Sequence, residues 1–380
     1  MSQSTQKLSA LQRTPNEIQR IIGTCCDVAS MKAFSLTSGK YRGMLHEYIF
    51  TQVKFEGTQA AMSSELGAYL GDSGNPPTMA ATRNKVTRAT FTIKPDNRAQ
   101  PDNQLVDRII NSIEETQKLR VLVLDVADLA PGENPPAQEA QFRQAFANLP
   151  ELDLKSLKLF APETLPPIII SKCNPTLLKG LHVDDTFIRD LLVPLPHSNE
   201  VGAMIQSLQG LKKLYFDTLP DFSHNPGLSQ VRTHLHTIRD NFFQVQWLGF
   251  YTAPTPTPYV YPDFYGCIGN INSLLRRLPN LKRFVITVYS ANIEKIPETP
   301  NRPPTEAEEI TFYEDLVSRV IKEVPWLEQL DILSESPVVW RGTRSKDRKD
   351  DAPGMKVQRL ELPNEARRGA YPFGIHKDEK

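Results

Sequence analysis

Apolar residues recur along this chain in one six-residue phrase, apolar-x-x-apolar-x-apolar. The phrase is met as Val86-Ala89-Phe91, Leu119-Leu122-Leu124, Leu154-Leu157-Leu159, Leu178-Leu181-Val183 and Leu211-Leu214-Phe216. It continues as Val245-Leu248-Phe250, Leu281-Phe284-Ile286, Leu327-Leu330-Ile332 and Val357-Leu360-Leu362. The nine starts are 33, 35, 24, 33, 34, 36, 46 and 30 residues apart. The last two apolar positions alternate with a residue between them, the period of a strand with one buried face.

Between the hexads the period changes to that of a helix. Leu105/Ile109/Ile113, Phe142/Phe146/Leu149, Val201/Met204/Ile205/Leu208, Val231/Leu235/Ile238, Ile271/Leu274/Leu275/Leu278 and Phe312/Leu316/Val320/Ile321 each form one apolar stripe. Each unit therefore reads as strand, loop, helix. One unit cannot bury its own stripe, but stacked units can, so the pattern predicts an α/β repeat with parallel strands flanked by helices. Spacing near 34 residues also suits ankyrin or tetratricopeptide units. Those are mostly helical and carry signature motifs absent here, so both are excluded.

Ahead of the hexads lies a helical module. Thr14-Pro15-Asn16-Glu17 predicts a helix start with a Thr cap, Pro in the first position and Glu completing a capping box. Ile18, Ile21, Ile22 and Cys25 follow at helical spacing. Asp27 opens a second helix with Val28, Met31 and Phe34, stopped near Ser38-Gly39. A third holds Tyr41, Leu45, Tyr48 and Ile49, and Val53/Phe55 predict a short strand. From Leu11 to Phe55 there are 20 apolar residues in 45, too many for three short helices to bury among themselves. The excess calls for cover by the rest of the chain or by a partner.

The run Pro15-x-Glu17-Ile18-x-x-Ile21-Ile22, then Asp27-Val28, Lys32-Ala33-Phe34-Ser35-Leu36-Thr37-Ser38 and Tyr48-Ile49-Phe50, resembles the F-box of fungal F-box proteins. It departs from that pattern at Thr14 and Cys26, where Leu is usual, and at Gly39. The resemblance implies docking on the Skp-family linker subunit of a cullin–RING ubiquitin ligase. It assigns the contact to Pro15, Ile18, Ile22, Val28, Leu36, Tyr48, Ile49 and Phe50. The hexads in turn are similar to the long, irregular leucine-rich repeats that follow fungal F-boxes. The ninth position departs: compact repeats place Asn there, and here it holds residues such as Lys94, Pro162 and Leu219. No asparagine ladder can form. The expected architecture is α/β: a three-helix F-box module, then an irregular leucine-rich-repeat-like solenoid with parallel strands on the concave face and helices outside. The expected division is a flexible 1–10, an F-box over 11–56, a solenoid over 57–366 with a charged, disordered insertion at 341–354, and a tail from 367 to 380.

On such strands the residues between and after the last two apolar positions face away from the core. They include Asp125, Lys158, Phe160, His182, Asp184, Tyr215, Asp217, Tyr251, Thr287 and Asp331. Exposed Phe160, Tyr215 and Tyr251 beside Asp125, Asp184 and Asp217 would suit a protein substrate with basic and apolar residues, and these six are the candidate substrate-binding set.

Composition then narrows the classes. The chain has 44 basic and 44 acidic residues in 380, so no excess of positive charge marks a phosphate-backbone or membrane-surface binder. The 31 prolines, about 8% against a usual ~5%, predict many connections between short elements. A polar start, no long apolar run and only four cysteines, none in a CxxC pair, predict an intracellular chain in the cytosol or nucleus. No GxGxxG, P-loop, HExxH or GxSxG is present, and His234/His236 diverge on a helix, so neither enzyme, metal nor cofactor is expected. Two functions remain. One is a substrate-recognition adaptor of a Skp–cullin–F-box ligase. The other is a repeat scaffold whose N-terminal helices only cap the solenoid.

Overall fold

The computed structural model describes residues 51–71, 83–96, 102–129, 135–162, 164–184, 211–218, 228–252, 264–288, 305–334, 338–344 and 355–361, and isolated positions between 14 and 45 and at 204, 208 and 210. Among the described residues the order is β1 (Gln52–Gly57), α1 (Gln59–Leu70), β2 (Arg88–Ile93), α2 (Leu105–Glu114), β3 (Val121–Asp125), α3 (Pro135–Asn148), β4 (Ser156–Phe160), α4 (Pro166–Ser171) and β5 (Gly180–Asp184). There follow β6 (Lys213–Thr218), α5 (Leu228–Asn241), β7 (Trp247–Thr252), α6 (Phe264–Leu275), β8 (Arg283–Thr287), α7 (Glu306–Glu323), β9 (Gln329–Leu333), β10 (Val338–Arg344) and β11 (Met355–Glu361). Strands follow one another in chain order, and the pairing is mostly parallel. The chain divides into two compact units, Met1–Val123 with Ala130–Glu133, and Leu124–Leu129 with Asn134–Lys380.

In the first unit β1 pairs in parallel with β2, Phe55 opposite Phe91, and these two rings stack at 5.5 Å. β1 is the strand expected from Val53/Phe55. Helix α1, not foreseen, is capped by Thr58, whose hydroxyl accepts from Ala61 N, and ends at Gly71 with φ 99°, where glycine avoids the Cβ penalty. Its apolar stripe is broken by Ser63, Ser64 and Gly67, which is why periodicity missed it. In the N-terminal module helical conformation begins at Asn16, and Ser38 caps the segment containing Tyr41, whose N–H donates to the Ser38 hydroxyl at 3.2 Å.

In the second unit each hexad behaves as its pattern requires. Across β4 to β9 one register row reads Leu157, Leu181, Leu214, Leu248, Phe284, Leu330 and the next reads Leu159, Val183, Phe216, Phe250, Ile286, Ile332. All twelve are buried. At about 1.5–3 kcal/mol per buried side chain, these rows are the main cohesive term of the unit. Among the described residues, α6 and α7 pack on the side of these rows, with Ile268, Ile271, Leu316 and Val320 against Phe284, Ile286, Leu330 and Ile332.

A backbone device replaces the missing asparagine ladder, and it lies at the N-terminal edge of the strands. The carbonyl of Lys155 accepts from the N–H groups of Lys179 and Gly180. That of Lys179 accepts from Lys212 and Lys213, Lys212 from Gln246 and Trp247, Gln246 from Lys282 and Arg283, and Lys282 from Glu328 and Gln329. In the first unit Thr51 and Thr87 accept in the same way, from Thr87/Arg88 and Arg120/Val121. One carbonyl thus satisfies two donors of the next repeat, whatever side chain it carries.

The pattern breaks after β9. The ninth hexad forms β11, which pairs antiparallel with β10, and β10 pairs antiparallel with β9. Only residues 334–337 separate β9 from β10, too few for a helical crossover, so a hairpin is the available geometry. β11 is therefore not a parallel neighbour of β9, and Val357 and Leu360 are only half-buried. The expected charged insertion is corrected as well: Arg341–Arg344 belong to β10, and 345–354 lie outside the described residues. Not all of the prolines lie in connections: Pro135-Pro136 and Pro166-Pro167 begin α3 and α4, where a missing N–H costs nothing.

Candidate functional site

The face of the second unit opposite the helices carries the residues singled out above. Asp125, Phe160, Asp184, Asp217 and Tyr251 are half-buried at the C-terminal ends of β3 to β7. Tyr215 corrects the expectation of an exposed ring: it is 2% exposed. Its ring lies across Gly249 on the neighbouring strand, and a Cβ there would collide with Tyr215 Cδ1. A glycine in the register position beside a tyrosine lets the aromatic lie flat on the sheet.

His182 ties these residues together. Its Nε2 lies 2.8 Å from Asp217 Oδ1 and, since a carboxylate only accepts, it is the donor. The imidazole meets Phe160 edge-on at 5.2 Å and Tyr215 at 6.2 Å, and Lys158 Nζ sits 4.7 Å from the Phe160 ring centre. Asp184 and Asp217 are register partners. Burial pushes the His182 imidazole below its ordinary value, and Asp217 pulls the other way. The Asp125 carboxyl is pushed up to about 6, first by burial, with Asp128 and Asp217 adding repulsion and Lys158 opposing. These groups form a coupled polar cluster within an aromatic surround.

Other features escaped the sequence reading. Lys213, Trp247 and Arg283 occupy one row near the N-terminal ends of β6 to β8, with the Lys213 ammonium 4.4 Å and the Arg283 guanidinium 3.9 Å from the indole centre. All three share one hexad position, a signal that comparing hexads column by column would have found. Asp331, 1% exposed on β9, receives both Nε (2.8 Å) and Nη2 (3.0 Å) of Arg341 on β10, and Gln329 Nε2 at 2.8 Å. Val285, Leu333 and Val339 form an apolar cluster against which Tyr251 and Leu360 pack.

In the first unit, Ile18 is 45% and Leu36 72% exposed, and Pro15 is exposed. Ile22, Val28, Tyr48, Ile49 and Phe50 lie outside the described residues. Near Ile18 and Leu36, by contrast, Gln19, Ser35, Tyr41 and Leu45 are buried. His234 is buried beside the stacked Phe216 and Phe250 rings, while His236 is half-buried. Among the described residues no group of three or more His, Cys, Asp or Glu is placed to hold a metal ion. No described helix is long and apolar enough to cross a membrane. No protein-family model matches this chain, and none of the curated proteins does.

Proposed function

We propose that this chain is a substrate-recognition adaptor of a Skp–cullin–F-box type ubiquitin ligase. Its N-terminal helices would dock on the Skp-family linker, and its leucine-rich-repeat-like strands would hold a protein substrate on the face opposite the helices. The observation that carries the reading is the outward placement of Ile18 and Leu36. Both match linker-contact positions of the resembled motif, and exposed apolar side chains next to a buried set mark an interaction surface more often than a solvated one. The adaptor performs no bond chemistry in this scheme. It raises the effective concentration of a substrate near a ubiquitin donor.

One observation favours the scaffold reading. The described helical positions between 16 and 45 belong to the same compact unit as β1, which pairs along its full length with β2. Co-purification separates the two. Full-length protein co-expressed with a Skp-family linker is expected to retain it stoichiometrically. Ile18→Asp with Leu36→Asp is expected to release it while the circular dichroism melt stays unchanged. Wild-type protein that elutes without the linker would reject the adaptor role and leave the scaffold.

A further inference from the structure

Half-buried arginines among the described residues are held by partners. Arg83 pairs with Glu115 at 2.7 Å, and Arg108 donates to the Ser63 hydroxyl at 2.8 Å. Arg341 is clasped by Asp331, and Arg344 donates to the Ile321 carbonyl at 2.8 Å. Arg88, in the first unit, is the exception. It opens β2, where Ala89, Phe91 and Ile93 turn into the core while Arg88, Thr90 and Thr92 turn to the other face. Among the described residues no hydrogen bond, ion pair or ring contact engages its side chain. Burial lowers the Arg88 pKa from the ordinary guanidinium value, and no charge or hydrogen bond acts against it.

A guanidinium partly withdrawn from water without a partner costs stability, and an apolar side chain of similar reach removes that cost. The surroundings supply hydrogen-bond donors beside it. Register places Gln52 of β1 opposite Arg88 and Lys54 opposite Thr90. Gln52 is exposed and Thr90 half-buried, so an amide and a hydroxyl share the face with the guanidinium. On the adjoining β3, half-buried Val121 adds an apolar neighbour, its N–H bonded to the Thr87 carbonyl. Glu56, the acidic residue of β1, is engaged by Lys54 and by Lys94.

We infer that Arg88 anchors a docking site for a polypeptide segment that presents an Asp or Glu side chain next to an apolar residue. The charge count selects the anion. Lys54 and Lys94 are committed to Glu56, which leaves one positive charge on this face, the match of a singly charged carboxylate. A phosphate dianion asks for a second cation, and a nucleic-acid strand for a row of them. The planar guanidinium fork receives both carboxylate oxygens, and the apolar neighbour of the acid packs toward Val121. The site lies in the first unit and uses neither Ile18, Leu36 nor the strands of the second unit, so its test is independent of the ligase role.

The test uses the full chain labelled with nitrogen-15 arginine, whose side-chain Nε signals are followed by NMR at constant ionic strength. The probes are acetyl-Leu-Glu-amide, its neutral analogue acetyl-Leu-Gln-amide, and methyl phosphate. The signal that disappears in Arg88→Met identifies Arg88. The Glu peptide is expected to shift that signal saturably, and the Gln peptide to bind about tenfold more weakly or less. Arg88→Lys keeps the charge but loses the fork, and is expected to raise the Kd of the Glu peptide several-fold as read by the peptide's own signals. Arg88→Met is expected to abolish binding while its urea midpoint equals or exceeds that of the wild type. A lowered midpoint in Arg88→Met would show a structural role and overturn the inference. So would an Arg88 signal that does not saturate, equal affinity for the two peptides, or tighter binding of methyl phosphate than of the Glu peptide.

Discussion

At the scale of single residues, the cluster around His182 holds two titrations of opposite sense. The Asp125 carboxyl is raised to about 6 by burial, so the folded state favours its protonated form. Its stabilising contribution is full below the unfolded carboxyl value near 4 and is lost as pH rises through about 6. The His182 imidazole is lowered by burial, so its contribution is present above about 6.5 and is lost as pH falls. Asp125→Asn removes only the first slope. Urea titrations of this variant are expected to show a gain of about 1–2 kcal/mol at pH 7, after allowance for solvent screening, and no gain at pH 4. An equal shift at both pH values would show that Asp125 is not desolvated. Little of this was legible in advance: alternation placed Asp125, Asp184 and Asp217 on one face, yet the burial of Tyr215 depends on Gly249 one strand away. Register across 34 residues is a tertiary fact, and no local period encodes it.

At the scale of elements, legibility followed the strength of the period. Eight hexads became strands of matching order because three apolar positions in six allow one way of facing a helix layer. The ninth has the same period but half-buried side chains, since the short β9–β10 link leaves a hairpin where a crossover was expected. β10 itself was hidden because its second half, Arg341-Gly342-Thr343-Arg344, reads as charged loop. Gly342 lies close against Val317 on α7, and Arg341 turns to the opposite face to meet Asp331. That ion pair locks the hairpin. Arg341→Ala strips a buried carboxylate of its bidentate guanidinium partner, which predicts a loss of about 3 kcal/mol in chemical denaturation. Asp331→Asn combined with Arg341→Met removes both charges and is expected to recover most of that loss. A single change at Arg341 costing under about 0.5 kcal/mol would show that the pair is dispensable.

At the scale of the whole molecule, a stack in which each strand meets only its neighbours has graded rather than uniform stability. In the second unit the carbonyl ladder and the two apolar rows run unbroken from β4 to β9, so β6 and β7 are supported on both sides by repeats of equal quality. β11 has one neighbour, half-buried side chains and no following repeat among the described residues. Edge strands of this kind open first. Hydrogen exchange is expected to show the slowest amides in β6 and β7, with protection falling through β9 and β10 to β11. Two substitutions distinguish this gradient from simple solvent exposure. Leu248→Ala, in the middle of the buried row, is expected to cost about 2–5 kcal/mol and to speed exchange in β6, β7 and β8 together. Leu360→Ala is expected to cost about 1 kcal/mol or less and to change exchange only in β10 and β11. If Leu360→Ala accelerated exchange as far as β6, the unit would be opening as one block. The proposed recognition face would then have no rigid centre distinct from its edge, whereas the graded result places Tyr215, Asp217 and Trp247 on the strands that move least.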